Sequence, residues 1–201
     1  MTLKKIFLSI SLPFLLAACS VVPSTHFYLL QALETGTIQL NESQLKPITV
    51  LVNPIKFPEY LDRPQIVLRD SNYRFQLSEN HRWAEPLSNE FSRVFIENLN
   101  NRITPGHALV YSELNGIQPN INLTIKVVRL DVNTADQAVL SVKWAYWTGE
   151  NTEKMARFTN EYSVPIKNKD YQSRIEAQSR AIAVFTDYVA KTIQSLTMPL
   201  N

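Results

Sequence analysis

The sequence has little of what most catalytic and metal-binding sites are built from. Its 201 residues include one cysteine, four glycines and three histidines, against eleven prolines. The scattered glycines exclude a glycine-rich phosphate loop, and no Gly-x-Ser-x-Gly element is present to carry a serine nucleophile. His26, His81 and His107 are each isolated from a second ligand at metal-binding spacing. The sequence therefore predicts no metal site, no cofactor and no catalytic residues.

A short hydrophobic run near the N-terminus indicates export. Two lysines precede an apolar stretch over residues 6–16, and small residues follow it. A basic start, 7–15 apolar residues and a small-residue cleavage point are typical of a secretory signal. A membrane-spanning helix would need roughly 17–25 residues, so it is the poorer interpretation. The run closes on four residues, Leu16, Ala17, Ala18 and Cys19.

These four residues resemble the lipobox of bacterial lipoproteins, in which the cysteine carries the lipid. The resemblance implies that residues 1–18 are a signal peptide and that Cys19 becomes the new terminus, bearing S-diacylglycerol and an N-acyl chain such as palmitate. With Cys19 modified, no thiol remains for a disulfide, a metal or catalysis. The alternative is a soluble exported protein with a chance cysteine at the cleavage point.

Loss of the signal also changes the charge. The chain has 20 basic and 18 acidic residues, and removal of Lys4 and Lys5 leaves 18 of each. No basic surplus remains to favour nucleic acid or an anionic bilayer surface. Residues 19–25 form a tether whose six residues after Cys19 reach only on the order of 20 Å at about 3.3 Å per residue. Ser20 stands where an aspartate would resemble an inner-membrane retention signal, so we expect the outer membrane, on its periplasmic side.

Residues 26–198 predict one α+β domain. Strand patterns recur in eight stretches, residues 26–30, 48–55, 65–68, 73–77, 108–111, 120–132, 138–148 and 155–165. The last three are long runs separated by polar turns, typical of an antiparallel meander. Within them Trp144 and Trp147 fall on opposite faces by period, so one is expected in the core and the other under a helix or a partner.

Two helices complete the pattern. The first is predicted to begin near residues 83–86, with Glu85 and Pro86 in its first turn and the apolar stripe Leu87, Phe91, Val94, Phe95 and Leu99. The second is predicted over residues 171–196, with Asp170 as its N-cap and the apolar stripe Ile175, Ile182, Phe185, Val189, Ile193 and Leu196. The order of elements predicts a single domain with a mixed, mostly antiparallel sheet and two amphipathic helices packed on one face.

Two segments carry a family resemblance. Residues 57–67 (FPEYLDRPQIV) and residues 83–87 (WAEPL) together resemble the signature of the ABC-type transport auxiliary lipoproteins. The opening strand just after the lipidated cysteine fits the same pattern. Leu61, Asp62, Arg63 and Pro64, in the first segment, are the candidate partner-binding residues. The plainer interpretation of this segment is a turn held by an ion pair between Asp62 and Arg63.

The resemblance implies a non-catalytic role in the envelope of a Gram-negative bacterium. Family members accompany MCE (mammalian cell entry) systems, thought to carry lipids between the two membranes. It therefore implies a docking component that holds a periplasm-spanning MCE protein at the outer membrane and supports envelope integrity, with a homo-oligomer left open. The alternative is a small carrier that encloses phospholipid among Trp144, Phe158 and Tyr162. An envelope hydrolase has no nucleophile constellation to support it.

Overall fold

The elements of the domain follow one another in the order that the sequence predicts. The computed structural model describes residues 23–33, 48–71, 73–103, 108–111, 118–149 and 155–197. Its strands are β1 (His26–Tyr28), β2 (Ile48–Val52), β3 (Gln65–Arg69), β4 (Phe75–Trp83), β5 (Ala108–Tyr111), β6 (Ile121–Val132), β7 (Gln137–Thr148) and β8 (Ala156–Pro165). Its helices are α1 (Leu87–Arg102) and α2 (Tyr171–Thr197). Within these ranges, no helix is both long and apolar enough to cross a bilayer.

All eight strands form one mixed sheet organised around the long strand β6. One edge of β6 pairs antiparallel with β7, from Ile121 opposite Thr148 to Val132 opposite Ala138, and β8 pairs antiparallel with β7. The other edge of β6 is shared, because β2 pairs in parallel near its start and β3 in parallel at its end. The sheet therefore divides here into two arms. β5 lies beyond β2, and β4 and then β1 lie beyond β3.

The core lies between this sheet and the two helices. Trp144 in β7 is 2% exposed, stacks on Phe158 of β8 at 4.4 Å between ring centroids, and meets Phe185 of α2 edge-on at 6.2 Å. Phe185 in turn packs on Phe95 of α1 at 5.3 Å, which joins the two helices. Full burial of each such side chain contributes about 1.5–3 kcal/mol, so this cluster is a main source of stability.

The predicted fold class is confirmed, as are most details of the helices. The apolar stripe predicted for α1 is entirely buried. At the start of α2, the Ser173 N–H donates to the Asp170 carboxylate at 2.7 Å, as expected of an N-cap. This hydrogen bond lowers the pKa of Asp170. Trp144 and Trp147 lie on opposite faces of β7, the first buried and the second half-buried.

Two details of the helix predictions are wrong. Trp83 ends β4, and α1 begins only at Leu87, because Pro86 has an extended backbone (φ −52°, ψ 127°). The strand continues through the polar residues 78–82, where the Ser78 hydroxyl lies 2.6 Å from the Tyr171 hydroxyl and His81 Nδ1 lies 2.8 Å from the Tyr28 hydroxyl. Leu196, predicted in the buried stripe of α2, is 41% exposed near the end of that helix.

Candidate partner-binding site

The two signature segments, separated in sequence, meet across the β3–β4 pair. The Trp83 N–H donates to the Pro64 carbonyl at 2.8 Å, and Gln65 lies opposite Arg82 in the antiparallel register. Trp83 is 4% exposed and belongs to the hydrophobic core. The family signature is thus one structural unit whose two halves are held together by the sheet.

A groove of about 280 Å³ opens between these halves. Its lining residues are Asp62, Arg63, Pro64, Trp83, Ala84, Glu85 and Pro86. The charged side chains, of both signs, are exposed. The prolines fix backbone angles on both sides and so stiffen the rim. A stiff polar groove over a buried aromatic residue can bind a partner with little loss of conformational entropy.

The candidate residues within this unit differ in accessibility. Leu61 is 2% exposed and packs in the core, whereas Asp62, Arg63 and Pro64 are exposed. Two backbone hydrogen bonds close the turn that precedes Arg63. The Leu61 N–H donates to the Pro58 carbonyl at 3.0 Å, and the Asp62 N–H donates to the Glu59 carbonyl at 3.2 Å. None of the ion pairs in the described part of the chain joins Asp62 to Arg63. The turn is therefore held by its backbone, and the Arg63 guanidinium faces solvent.

A buried carboxylate connects this groove, through hydrogen bonds, to the residues that follow β1. Glu90 in α1 is fully buried and accepts hydrogen bonds from the Leu30 N–H at 2.6 Å and the Glu85 N–H at 3.3 Å. Burial raises the pKa of Glu90, opposed by these two hydrogen bonds. Sequence reasoning missed Glu90, although its position three residues after Leu87 and four before Val94 places it on the apolar stripe.

Further hydrogen bonds hold β1 beside the groove of the signature segments. The Ala84 N–H donates to the Tyr28 carbonyl at 3.0 Å, and Arg93 of α1 donates from Nη2 to the Leu30 carbonyl at 3.1 Å. Ala84 lines the groove, and Tyr28 ends the first strand after the tether. The groove therefore lies beside the part of the domain that is nearest in sequence to the predicted anchor.

Two of the histidines come together at β1 and β4. His26 lies opposite His81 in the strand register, and their rings are 5.4 Å apart. His81 also stacks on Tyr171 of α2 at 3.6 Å, and its Nδ1 lies 2.8 Å from the Tyr28 hydroxyl. Burial, then the neighbouring His26 and Arg174, lowers the pKa of His81. These contacts join β1 to β4 and α2. Within the described ranges no group of three metal-ligating side chains occurs.

Several predicted residues lie outside the described part of the chain. The lipobox residues, Leu16, Ala17, Ala18 and Cys19, are among them, as are Ser20 and His107. The structure therefore leaves the anchor as a prediction from the sequence.

The interior proposed for a lipid carrier is occupied by side chains. Trp144 and Phe158 stack on each other, and Tyr162 lies 6.0 Å from the Phe185 ring. Burial raises the pKa of Tyr162 to about 12. An acyl chain between these residues would have to displace packed aromatic rings, which weighs against the carrier hypothesis.

Sequence comparison identifies a family that covers most of the domain and two relatives that align with part of it. Residues 28–190 match the family described as ABC-type transport auxiliary lipoprotein component. The chain is 25% identical over 123 residues to the intermembrane transport lipoprotein PqiC of Escherichia coli K12, which is 61% of this chain and 64% of that protein. The PqiC protein of Shigella flexneri matches equally. The aligned part thus spans less than two thirds of these relatives, and the similarity predicted from the signature is confirmed.

Solved structures show the same fold. An uncharacterised protein superimposes with a TM-score of 0.71 at 16% identity, covering 85% of this chain and 99% of that one. A protein of Xanthomonas campestris superimposes with a TM-score of 0.66 at 15% identity, covering 86% of this chain and all of the other. At this level of identity the likeness concerns the fold alone.

Proposed function

Because the chain belongs to the ABC-type transport auxiliary lipoprotein components, we propose that it is a non-catalytic docking lipoprotein. In this proposal it sits on the periplasmic side of the outer membrane and holds a periplasm-spanning MCE protein of an intermembrane lipid transport system. The observation that carries the proposal is the groove formed by both signature segments beside the strand that follows the tether. The name of the PqiC relatives, intermembrane transport lipoproteins, agrees with it.

The anchor in this proposal is the lipid on Cys19. Each buried methylene of an acyl chain contributes about 0.8 kcal/mol, and stable anchoring needs more than one chain. Residues 20–25 separate Cys19 from His26 at the start of β1. At about 3.3 Å per extended residue, this tether keeps the groove within a few tens of ångströms of the bilayer.

Loss of the anchor should change localisation and leave the fold intact. Cys19→Ser should yield protein that is uncleaved at the inner membrane or free, because no acyl chain is attached. Ser20→Asp keeps the lipid and should shift the protein towards the inner membrane. Sucrose-gradient fractionation of envelopes measures both variants beside the wild type. A Cys19→Ser protein that still fractionates with outer membranes would disprove the anchor.

The exposed arginine is the strongest candidate for contact within the groove. Arginine is favoured at binding hot spots, and Arg63 is exposed on the stiff rim. Since it lacks an ion pair with Asp62, its replacement by alanine should cost about 0–1 kcal/mol of stability.

Arg63→Ala should therefore separate folding from binding. We expect a melting temperature near that of the wild type and weaker co-purification of the MCE protein. Arg74→Ala is the matched control, because Arg74 is 76% exposed in an ion pair with Asp70 on another loop. If the MCE protein co-purifies normally with the Arg63→Ala protein, the Arg63 side chain is not part of the binding site. A large loss of stability would show instead that Arg63 supports the fold.

A further inference from the structure

The sheet face that lies away from the helices carries a row of cations. Lys126 of β6 lies directly opposite Lys143 of β7, and Lys56 bridges to Lys126 from the other side. All three side chains are exposed. Neighbouring strands are about 4.8 Å apart, so the three lysines form one line across the sheet. We call them the lysine row.

A groove of about 400 Å³ extends the row across β8. Lys126 and Lys143 line it together with Met155 and the exposed Arg157. None of these cations belongs to an ion pair within the described part of the chain. The nearest carboxylate in the register is Glu161 of β8, which lies opposite Ser141 and diagonal to Lys143, and no ion pair joins the two within the described part of the chain.

Stability of the fold does not account for this arrangement. Like charges placed directly opposite each other on neighbouring strands destabilise a sheet, and Lys126 and Lys143 are such a pair. The 18 basic and 18 acidic residues left after removal of the signal balance, so the row is a local excess of positive charge. A multivalent anionic surface outside the protein would compensate it.

A tryptophan on the same face indicates which kind of surface. Trp147 shares the face of β7 with Lys143 and is half-buried, on the side of the sheet opposite Trp144, which packs against α2. Tryptophan has an apolar ring and a polar N–H, and it is enriched where protein meets the membrane–water interface. An acidic protein segment would need the cations alone, whereas a bilayer surface uses both the cations and the indole.

We infer that the lysine row, Arg157 and Trp147 form a membrane-docking face for anionic phospholipid headgroups. The phosphates lie against the ammonium and guanidinium groups, and the indole enters the interfacial layer. This inference rests on the proposed anchor, because the short tether holds the domain close to the bilayer. Docking would fix the orientation of the domain and so direct the groove of the signature segments.

Bromine quenching of tryptophan can test this inference on the mature lipidated protein. The protein is reconstituted into phosphatidylcholine vesicles with and without phosphatidylglycerol, both carrying lipids brominated near the headgroup. Trp83 and Trp144 are 4% and 2% exposed, so quenching by lipid reports mainly on Trp147. The variant Trp147→Phe should lose most of the phosphatidylglycerol-dependent quenching.

The row variant combines Lys56→Gln, Lys126→Gln and Lys143→Gln. Each lysine near an anionic surface contributes about one kcal/mol, so the docked-to-undocked ratio should fall on the order of 100-fold. The control combines Lys167→Gln, Lys169→Gln and Lys191→Gln, three exposed lysines elsewhere, and should dock as the wild type does. High salt should also weaken docking of the wild type, because it shortens the screening length to about 3 Å at 1 M.

Four results would overturn the inference. Equal quenching in the two vesicle types would show that anionic headgroups are not recognised, and wild-type quenching of the row variant would show that the lysines are not the contact. If the row variant no longer bound an acidic protein partner but its tryptophan quenching was unchanged, the face would be a binding surface for that protein. Flotation with the vesicles tests the anchor separately, and failure to float would overturn the proposed function together with this inference.

Discussion

Asp187→Ala should destabilise the domain by about 3 kcal/mol, among the largest effects expected of a single substitution. Asp187 of α2 forms an ion pair with Arg102 at the end of α1. The Arg102 side chain is 1% exposed, and its Nη1 donates to the Asn98 carbonyl at 2.9 Å. Removal of the carboxylate leaves a buried guanidinium without its counter-charge. Because Asp187 is 37% exposed, water offsets part of the loss.

A second substitution distinguishes this cause from simple loss of packing. Arg102→Met in the Asp187→Ala background removes the stranded charge and fills the site with apolar atoms, so most of the stability should return. Glu176→Ala on the exposed face of α2 is the control, with an expected change within about 0.5 kcal/mol. Denaturant unfolding measures all of these proteins. A double variant less stable than Asp187→Ala alone would contradict the buried-charge explanation.

Glu90→Ala should cost about 2–4 kcal/mol, since it leaves the Leu30 and Glu85 N–H groups without their acceptor in a buried place. Glu90→Gln retains one acceptor oxygen and should lose roughly half as much. Glu97→Ala is the control on the same helix, where an exposed ion pair with Arg93 at 3.8 Å should contribute about 0.5 kcal/mol or less. Equal stability of the Glu90→Ala and Glu97→Ala proteins would contradict the role given to Glu90.

The same carboxylate predicts a dependence of stability on pH. Burial raises the pKa of Glu90 above its usual 4.5, so the folded chain holds this proton at pH values where the unfolded chain has released it. The free energy of unfolding should therefore decrease as pH rises from 4.5 through the raised pKa. Denaturant unfolding at several pH values measures this slope, and Glu90→Gln should remove the part that Glu90 contributes.

Local patterns were enough to predict the elements of the fold. The alternation in β7 and β8 and the apolar stripe of α1 each reflect burial of one face, which is a property of neighbouring residues. The N-cap role predicted for Asp170 is confirmed and is equally local, because the carboxylate accepts from an N–H only three residues away. The limit of such patterns appears at β4, because the predicted strand stops at residue 77 whereas the observed strand continues through the polar residues 78–82 beside Tyr28 and Tyr171.

Local sequence patterns do not predict which distant strands pair or in which register. The two signature segments are separate in the sequence, and their meeting at one groove depends on the pairing of β3 with β4, where the Trp83 N–H donates to the Pro64 carbonyl. The lysine row depends on the register of β6 against β7, and a shift by one residue would turn Lys143 to the other face. Leu61 was grouped with Arg63 because they are neighbours, although only Arg63 is exposed.

Crosslinking in intact envelopes tests the docking function most directly. The wild-type chain is crosslinked in living cells, purified from the outer-membrane fraction through a tag at its C-terminus, and its attached proteins are identified by mass spectrometry. We expect a periplasm-spanning MCE protein to be recovered with the wild type and to be strongly reduced with Cys19→Ser, which lacks the anchor. Recovery of the wild-type chain from the outer membrane without any MCE protein would contradict the proposed function.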